Sequence, residues 1–190
     1  MKELVRETRE TKITCKIDID GKGISNINTG IGFFDHMLEA FSKHSGINLY
    51  IICKGDLHVD YHHSVEDCGI VIGQLLKQSI FPIENIERYE NSVVVMDEAA
   101  VECALDLSNR PFLVYEFDLK EKVGEFDVEL VEEFFHAIVT NSGITCHLIY
   151  KRGKNKHHII EAAFKAFAVA LRRALVKNEK LGIPSTKGVL

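Results

Sequence analysis

Two five-residue segments, HHSVE at 62–66 and HHIIE at 157–161, lie 157 − 62 = 95 positions apart, which is half of a 190-residue chain. A motif repeated at half the chain length is the mark of a duplicated unit, so the chain is expected to fold as two similar halves. The match extends beyond the motif. Ala40-Phe41 and Ser45-Gly46-Ile47 align with Ala137-Ile138 and Ser142-Gly143-Ile144 at an offset of 97, and both lead into an apolar run, INLYIIC and ITCHLIY. Further upstream, ITCKIDID and VECALDLS share an alternating pattern, a central Cys and a following Asp, as two copies of one half-buried strand would.

Each half reads as strand, strand, helix, strand, helix. In the first, strands are expected over 5–20, 24–29 and 48–54 and helices over 32–45 and 63–79; in the second, strands over 91–107, 111–118 and 144–151 and helices over 127–142 and 156–178. In the last helix Ile160, Phe164, Phe167, Leu171 and Ala174 fall on one face at helical spacing and read as core. Pro82, in FPIEN, marks the junction, with repeats expected over 1–87 and 88–190. The expected fold class is α/β in the two-layer α+β sense: a tandem duplication of a ββαβα unit with sheets packed on helices.

Composition narrows the function classes. With 46% hydrophobic and 27% charged residues and only 3 Pro, the chain reads as globular throughout. A net charge of −5 without a long basic tract argues against nucleic acid as a partner. No window approaches the ~18 apolar residues of a membrane helix. The opening MKELVRETRETK alternates charges where an apolar export signal would stand, and the expected location is the cytoplasm. The cysteines (Cys15, Cys53, Cys68, Cys103, Cys146) are odd in number, form no C-x-x-C pair and read as buried, reduced thiols.

At this chain's own frequencies of His and Glu, one H-H-x-x-E is expected by chance about 0.04 times, so two copies in matching positions call for a function. On a helix, residues i and i+4 share a face and residue i+1 points about 100° away. His62 and Glu66 can therefore grip one metal ion while His63 serves another; His157, Glu161 and His158 repeat the pattern. If a pseudo-two-fold relates the halves, each of two metals takes a His/Glu pair from one copy and the odd His from the other. The repeat alignment adds a fourth ligand, because His36 in FFDHML stands opposite Glu133 in LVEEFF. One set is then His36, His63, His157 and Glu161; the other is His62, Glu66, Glu133 and His158. Mixed imidazole and carboxylate ligation suits Mn²⁺, Fe²⁺ or Zn²⁺ rather than Ca²⁺ or a Cys-bound structural ion. Glu133 lies among other acids, Glu129 and Glu132, and a solvated charged face explains it about as well.

RETRET at 6–11, TGIGFFDHML at 29–38, the first HHxxE in GDLHVDYHHSVED, MDEA at 96–99, the second HHxxE in GKNKHHIIEAAFKA and the terminal PSTKGVL together resemble the imidazoleglycerol-phosphate dehydratase family over nearly the whole chain. The resemblance implies ribosomal-protein-S5-domain-2-like halves, two manganese ions per active site, and a large symmetric homo-oligomer, a 24-mer, with sites between subunits. The implied ligand set matches the one above, except that some relatives carry His where this chain has Glu133. Tyr61 and Ser64 depart from the acidic residue and Thr that often flank the first pair.

The implied reaction is loss of water from imidazole glycerol phosphate to give imidazole acetol phosphate. The hydrogen to be removed has no adjacent carbonyl, and metals that favour the imidazole anion would expel the neighbouring hydroxyl through a diazafulvene-like intermediate. The resemblance nominates Glu10 as the catalytic acid or base, although RETRETK read alone is a solvated charged strand. It likewise nominates Arg88, Arg110 and Lys187, helped by Ser185 and Thr186, as the phosphate site, and adds Glu10, Lys165, His36, His62, His63, Glu66, His157 and His158 to the substrate's surroundings. His44 and Asp67 also lie in such stretches without an assigned role, and His58, His136 and His147 read as structural. Two alternatives stay open: a dinuclear metallohydrolase of phosphate esters, and a non-enzymatic metal-binding shell, for which Arg110 and Lys187 have no evident use.

Overall fold

Buried residues at every second position of one strand and every third or fourth of a helix force the chain into sheets with one covered face. In the computed structural model, which describes residues 1–188, the first half runs β1 (Lys2–Glu7), β2 (Thr11–Asp18), β3 (Ser25–Asn28), α1 (Gly32–Ser45), β4 (Asn48–Gly55) and α2 (His62–Ile80). The second runs β5 (Tyr89–Met96), β6 (Ala99–Asp106), β7 (Phe112–Glu116), the short β8 (Lys122–Val123) and β9 (Phe126–Asp127), α3 (Leu130–Ser142), β10 (Thr145–Arg152) and α4 (Lys156–Ala174). The sheets have identical topology, β1-β2-β4-β3 and β5-β6-β10-β7, with the last strand of each parallel to its neighbour and the others antiparallel.

The repeat unit is thus βββαβα and not ββαβα. The long first strands expected over 5–20 and 91–107 are hairpins, turning at Thr8–Glu10 and at Asp97-Glu98. In the first turn the Thr8 hydroxyl accepts hydrogen bonds from the backbone N–H groups of Glu10 and Thr11. In the second, Asp97 takes φ +48°, a conformation that Asp tolerates better than most residues. Polar residues inside a strand-like run hid both turns. α3 begins three residues later than expected, after β8–β9, and α4 ends at Ala174 rather than 178.

Ile13, Cys15 and Ile17 of β2 and Val101, Cys103 and Leu105 of β6 point inward, and all five cysteines are buried and free. α1 packs on α4 and α2 on α3, so the helices of one half meet those of the other between the sheets. α1 and α3 end alike, on Gly46 at φ 78° and Gly143 at φ 76°, whose N–H groups return to the carbonyls of Ser42 and Val139. The α2–α3 contact is close at Gly69 and Gly73: a Cβ at Gly73 would stand 2.7 Å from the Ile138 carbonyl oxygen. Ile160, Phe164, Phe167, Leu171 and Ala174 are buried as expected, together with most other residues of α4, which is covered by α1 on one side and β5–β6 on the other.

Candidate functional site

The second HHxxE opens α4 because Asn155 caps that helix, its side-chain oxygen accepting from the backbone N–H groups of His157 and His158. The cap sets His157 and Glu161 one turn apart on one face, with Nε2 3.2 Å from Oε2. α1, lying against α4, brings His36 Nε2 to 3.3 Å from the same oxygen. The three ligand atoms lie within 4.8 Å of one another, the one such group among the described residues. Phe33 supports it, its ring 5.2 Å from that of His157 and 5.1 Å from that of Phe126, at the tip of the β8–β9 hairpin. The second oxygen of Glu161 receives Lys165 Nζ at 2.7 Å. Burial pushes the Glu161 carboxyl up, but the Lys165 hydrogen bond and charge and the neighbouring His36 outweigh it and hold the group below its ordinary value. An ionised carboxylate between two imidazoles is a donor set suited to Mn²⁺, Fe²⁺ or Zn²⁺.

At the start of α2, His62 Nε2 stands 3.5 Å from Glu66 Oε2, the same i, i+4 pairing. Glu133, half-buried in the first turn of α3, does not complete a three-ligand group with them. His63 and His158 turn away from their partners, as the helical angle requires. His63 Nδ1 lies 3.0 Å from Asp56 Oδ2 and its Nε2 3.7 Å from Glu10 Oε1. His158 Nδ1 lies 2.9 Å from Glu98 Oε2 and its Nε2 3.8 Å from Asp97 Oδ2. The hydrogen bonds to Asp56 and Glu98 raise the pKa of His63 and His158. That of Glu98 falls to about 2, held down by His158 and by the N–H groups of Asn155 and Lys154. One chain therefore assembles three members of the first expected set, with His63 held elsewhere, and only the His62/Glu66 pair of the second.

Glu10 occupies the β1–β2 turn, which is fastened to α2. Arg6 donates to Asp67 Oδ1 from Nε at 3.0 Å and Nη2 at 2.9 Å, and Thr11 Oγ1 donates to the other oxygen of the buried Asp67. RETRET is thus more than a solvated strand, and Asp67, which had no assigned role, anchors the hairpin that carries Glu10. The sequence reading also missed Asp56 and Glu98. For Glu98 a signal was present: 98 − 10 = 88 equals the offset 99 − 11 = 88 between β6 and β2, so Glu98 is the repeat equivalent of Glu10.

Arg88, Arg110, Ser185, Thr186 and Lys187 line one cavity of about 640 Å³, with Tyr89 and Ser108. Arg88 is buried and largely committed. It donates to Asp106 from Nε at 2.7 Å and Nη2 at 3.1 Å and to the Pro184 carbonyl from Nη1, and its guanidinium lies 4.4 Å over the Tyr89 ring. Arg110 is exposed, with Nη2 3.6 Å from Asp106, and is free to turn toward an anion with Lys187. Asp106, which the sequence marked only as the Asp following the central Cys of its strand, orients both arginines.

A family model described as imidazoleglycerol-phosphate dehydratase matches residues 29–171. The chain is 72% identical over 190 residues, all of both chains, to the imidazoleglycerol-phosphate dehydratase of Aliarcobacter butzleri (strain RM4018), and 62% identical over 190 residues, again all of both, to that of a Nitratiruptor species. The crystal structure of the Staphylococcus aureus N315 enzyme superposes with a TM-score of 0.83 at 45% identity, covering 93% of this chain and 98% of that one. The Pyrococcus furiosus enzyme in complex with (S)-C348 superposes with a TM-score of 0.85 at 36% identity, covering 98% and 100%. The chain belongs to the imidazoleglycerol-phosphate dehydratase family, hydro-lyases that dehydrate imidazoleglycerol phosphate in histidine biosynthesis.

Proposed function

We propose that the chain carries out this dehydration as a metal-dependent enzyme, holding two Mn²⁺ per active site. The observation that carries the reading is the convergence of His36 from one half with His157 and Glu161 from the other. The donor set fits the ion: imidazole nitrogens and a carboxylate kept ionised by Lys165. His36, His157 and Glu161, joined by His63, would hold one ion, and His62, Glu66, Glu133 and His158 the other. Two such ions would supply the Lewis acidity that favours the anion of the substrate's imidazole.

The chain's own residues do the rest. Arg110, Lys187, Ser185 and Thr186 bind the phosphate, with Arg88 fixed by Asp106 as the wall behind them. Glu10 moves the proton between the substrate carbon chain and solvent from a hairpin clamped to α2 by Arg6, Thr11 and Asp67. Lys165 holds Glu161 and borders the substrate.

His63 stands apart from the other members of its set in one chain, which supports sites built between subunits of a large homo-oligomer, a 24-mer. Val5, Val93, Val95 and Phe112, large apolar residues exposed on the strands, support such association. Five free, buried cysteines support a reducing, cytoplasmic location. The matching sheets support a division into two repeats at 87/88. Incubation with imidazole glycerol phosphate and Mn²⁺ tests the reading: a new ketone with the phosphate ester intact is expected, and free phosphate without a ketone would assign a hydrolase instead.

A further inference from the structure

His63 and His158 are the second histidines of the two HHxxE motifs, and each has its Nδ1 on a carboxylate supplied from outside its helix. Asp56, in the loop after β4, places both oxygens against His63 Nδ1, at 3.2 and 3.0 Å. Glu98, in the β5–β6 turn, places Oε2 at 2.9 Å from His158 Nδ1. The two carboxylates come from different elements and are not repeat equivalents, yet they engage the same ring atom of equivalent histidines. The duplicated chain has built the same contact twice by separate routes, which sets it apart from an incidental surface pair.

An ionised carboxylate only accepts hydrogen bonds, so the imidazole nitrogen facing it carries the proton. In the neutral ring the lone pair is then on Nε2, which is the atom left for a metal. From this geometry we infer that Asp56 and Glu98 are positioning residues of the metal centre, which fix the tautomer and ring orientation of His63 and His158 so that both present Nε2. Glu98 also fixes the approach to α4. Its Oε1 accepts the backbone N–H groups of Lys154 at 3.0 Å and Asn155 at 2.8 Å, and Asn155 caps the helix on which His158 stands. One carboxylate thus sets the position of the helix start with one oxygen and the ring of the ligand with the other.

The inference rests on His63 and His158 being ligands, and the test separates the two. Mn²⁺ binding to the full-length assembled protein is titrated by the electron paramagnetic resonance signal of the free ion, for the parent and for E98Q, D56N, H158A and H63A, with thermal melts of each. In E98Q the amide oxygen can still accept from Lys154 and Asn155, while its NH₂ faces Nδ1 and favours the wrong tautomer. E98Q and D56N are each expected to lose about 10- to 100-fold in Mn²⁺ affinity at one class of site, with melting temperature near the parent's at mildly alkaline pH. Parent-like affinity in both, alongside loss of ions in H158A and H63A, overturns the positioning role alone. Full Mn²⁺ occupancy in H158A and H63A overturns the ligand reading and the inference with it. Should E98Q unfold through the backbone contacts of Glu98, D56N decides, since Asp56 reaches His63 without capping a helix.

Discussion

Glu161 Oε2 lies 3.3 Å from His36 Nε2, joining a helix of the first repeat to one of the second at a point 125 residues apart in sequence. Neither half alone supplies the group. Glu161→Ala removes the central carboxylate and leaves Lys165 without its partner. The protein should lose one class of Mn²⁺ site and nearly all turnover, measured by metal content after dialysis and by product formation. Retention of the full metal complement would place the ion elsewhere.

Glu10→Gln separates chemistry from binding. Glu10 is exposed on its turn and 3.7 Å from His63 Nε2, so the amide preserves size and leaves the Arg6–Asp67–Thr11 clamp in place. Bound Mn²⁺ should remain at the parent level while kcat falls by about 10²- to 10⁴-fold, the usual contribution of a general acid or base. A simultaneous loss of metal would reassign Glu10 as a ligand.

The proposed phosphate cavity predicts a division between its two arginines. Arg110→Ala should raise KM by about 10- to 100-fold, as expected when a charge-assisted hydrogen bond to phosphate is removed, with little change in melting temperature. Arg88→Ala should also lower the melting temperature, because it leaves the Asp106 carboxylate and the Pro184 carbonyl without their donor. Steady-state kinetics beside thermal melts distinguish the two, and equal stability loss in both variants would contradict the division.

In the metal-free protein the Glu98–His158 pair should be most stabilising in a window of mildly acid pH. The contribution of Glu98 is complete above its ordinary value of 4.5 and is lost as pH falls through about 2. His158 has a raised pKa, so its contribution is complete below 6.5 and is lost as pH rises through the folded value. The melting-temperature gap between parent and Glu98→Gln should therefore peak between 4.5 and 6.5 and narrow on both sides. A gap independent of pH would show that the ion pair is not its source.

Gly73→Ala probes the α2–α3 seam. Its Cβ would meet the backbone of Ile138, at 2.7 Å from the oxygen and 3.2 Å from Cα, which no side-chain rotation relieves. A destabilisation of about 1–3 kcal/mol is expected from overpacking, read by denaturant unfolding, with Mn²⁺ sites retained in the folded fraction.

The legible parts of the sequence were those governed by periodicity and repetition. The His/Glu pairs at i, i+4, the strand cores at Ile13, Cys15 and Ile17, and the Gly46 and Gly143 helix ends follow from spacing alone. The hairpin turns at Thr8–Glu10 and Asp97-Glu98 were not legible, because they interrupt alternation with charged residues that a strand's outer face also carries. The convergence of His36 on Glu161 came from the repeat alignment, whereas its fourth partner, His63, stays apart in one chain. The roles of Asp56, Asp67 and Asp106 were not legible, because Asp67 acts on Arg6 and Thr11 from another element, Asp106 on Arg88 and Asp56 on His63 across loops, and the polar residue types around them give no period. The phosphate-cavity residues were named by family resemblance, since Arg88 and Arg110 carry no local pattern that separates them from surface charges.

The claim that joins these features is that dehydration depends on ions held by the HHxxE clusters, and removal and return of metal tests it most directly. Protein stripped with a chelator should lose turnover by at least about 100-fold and recover it on addition of Mn²⁺, with half-maximal recovery tracking occupancy of two ions per chain. Full dehydration of imidazole glycerol phosphate by protein shown to be free of metal would contradict the account.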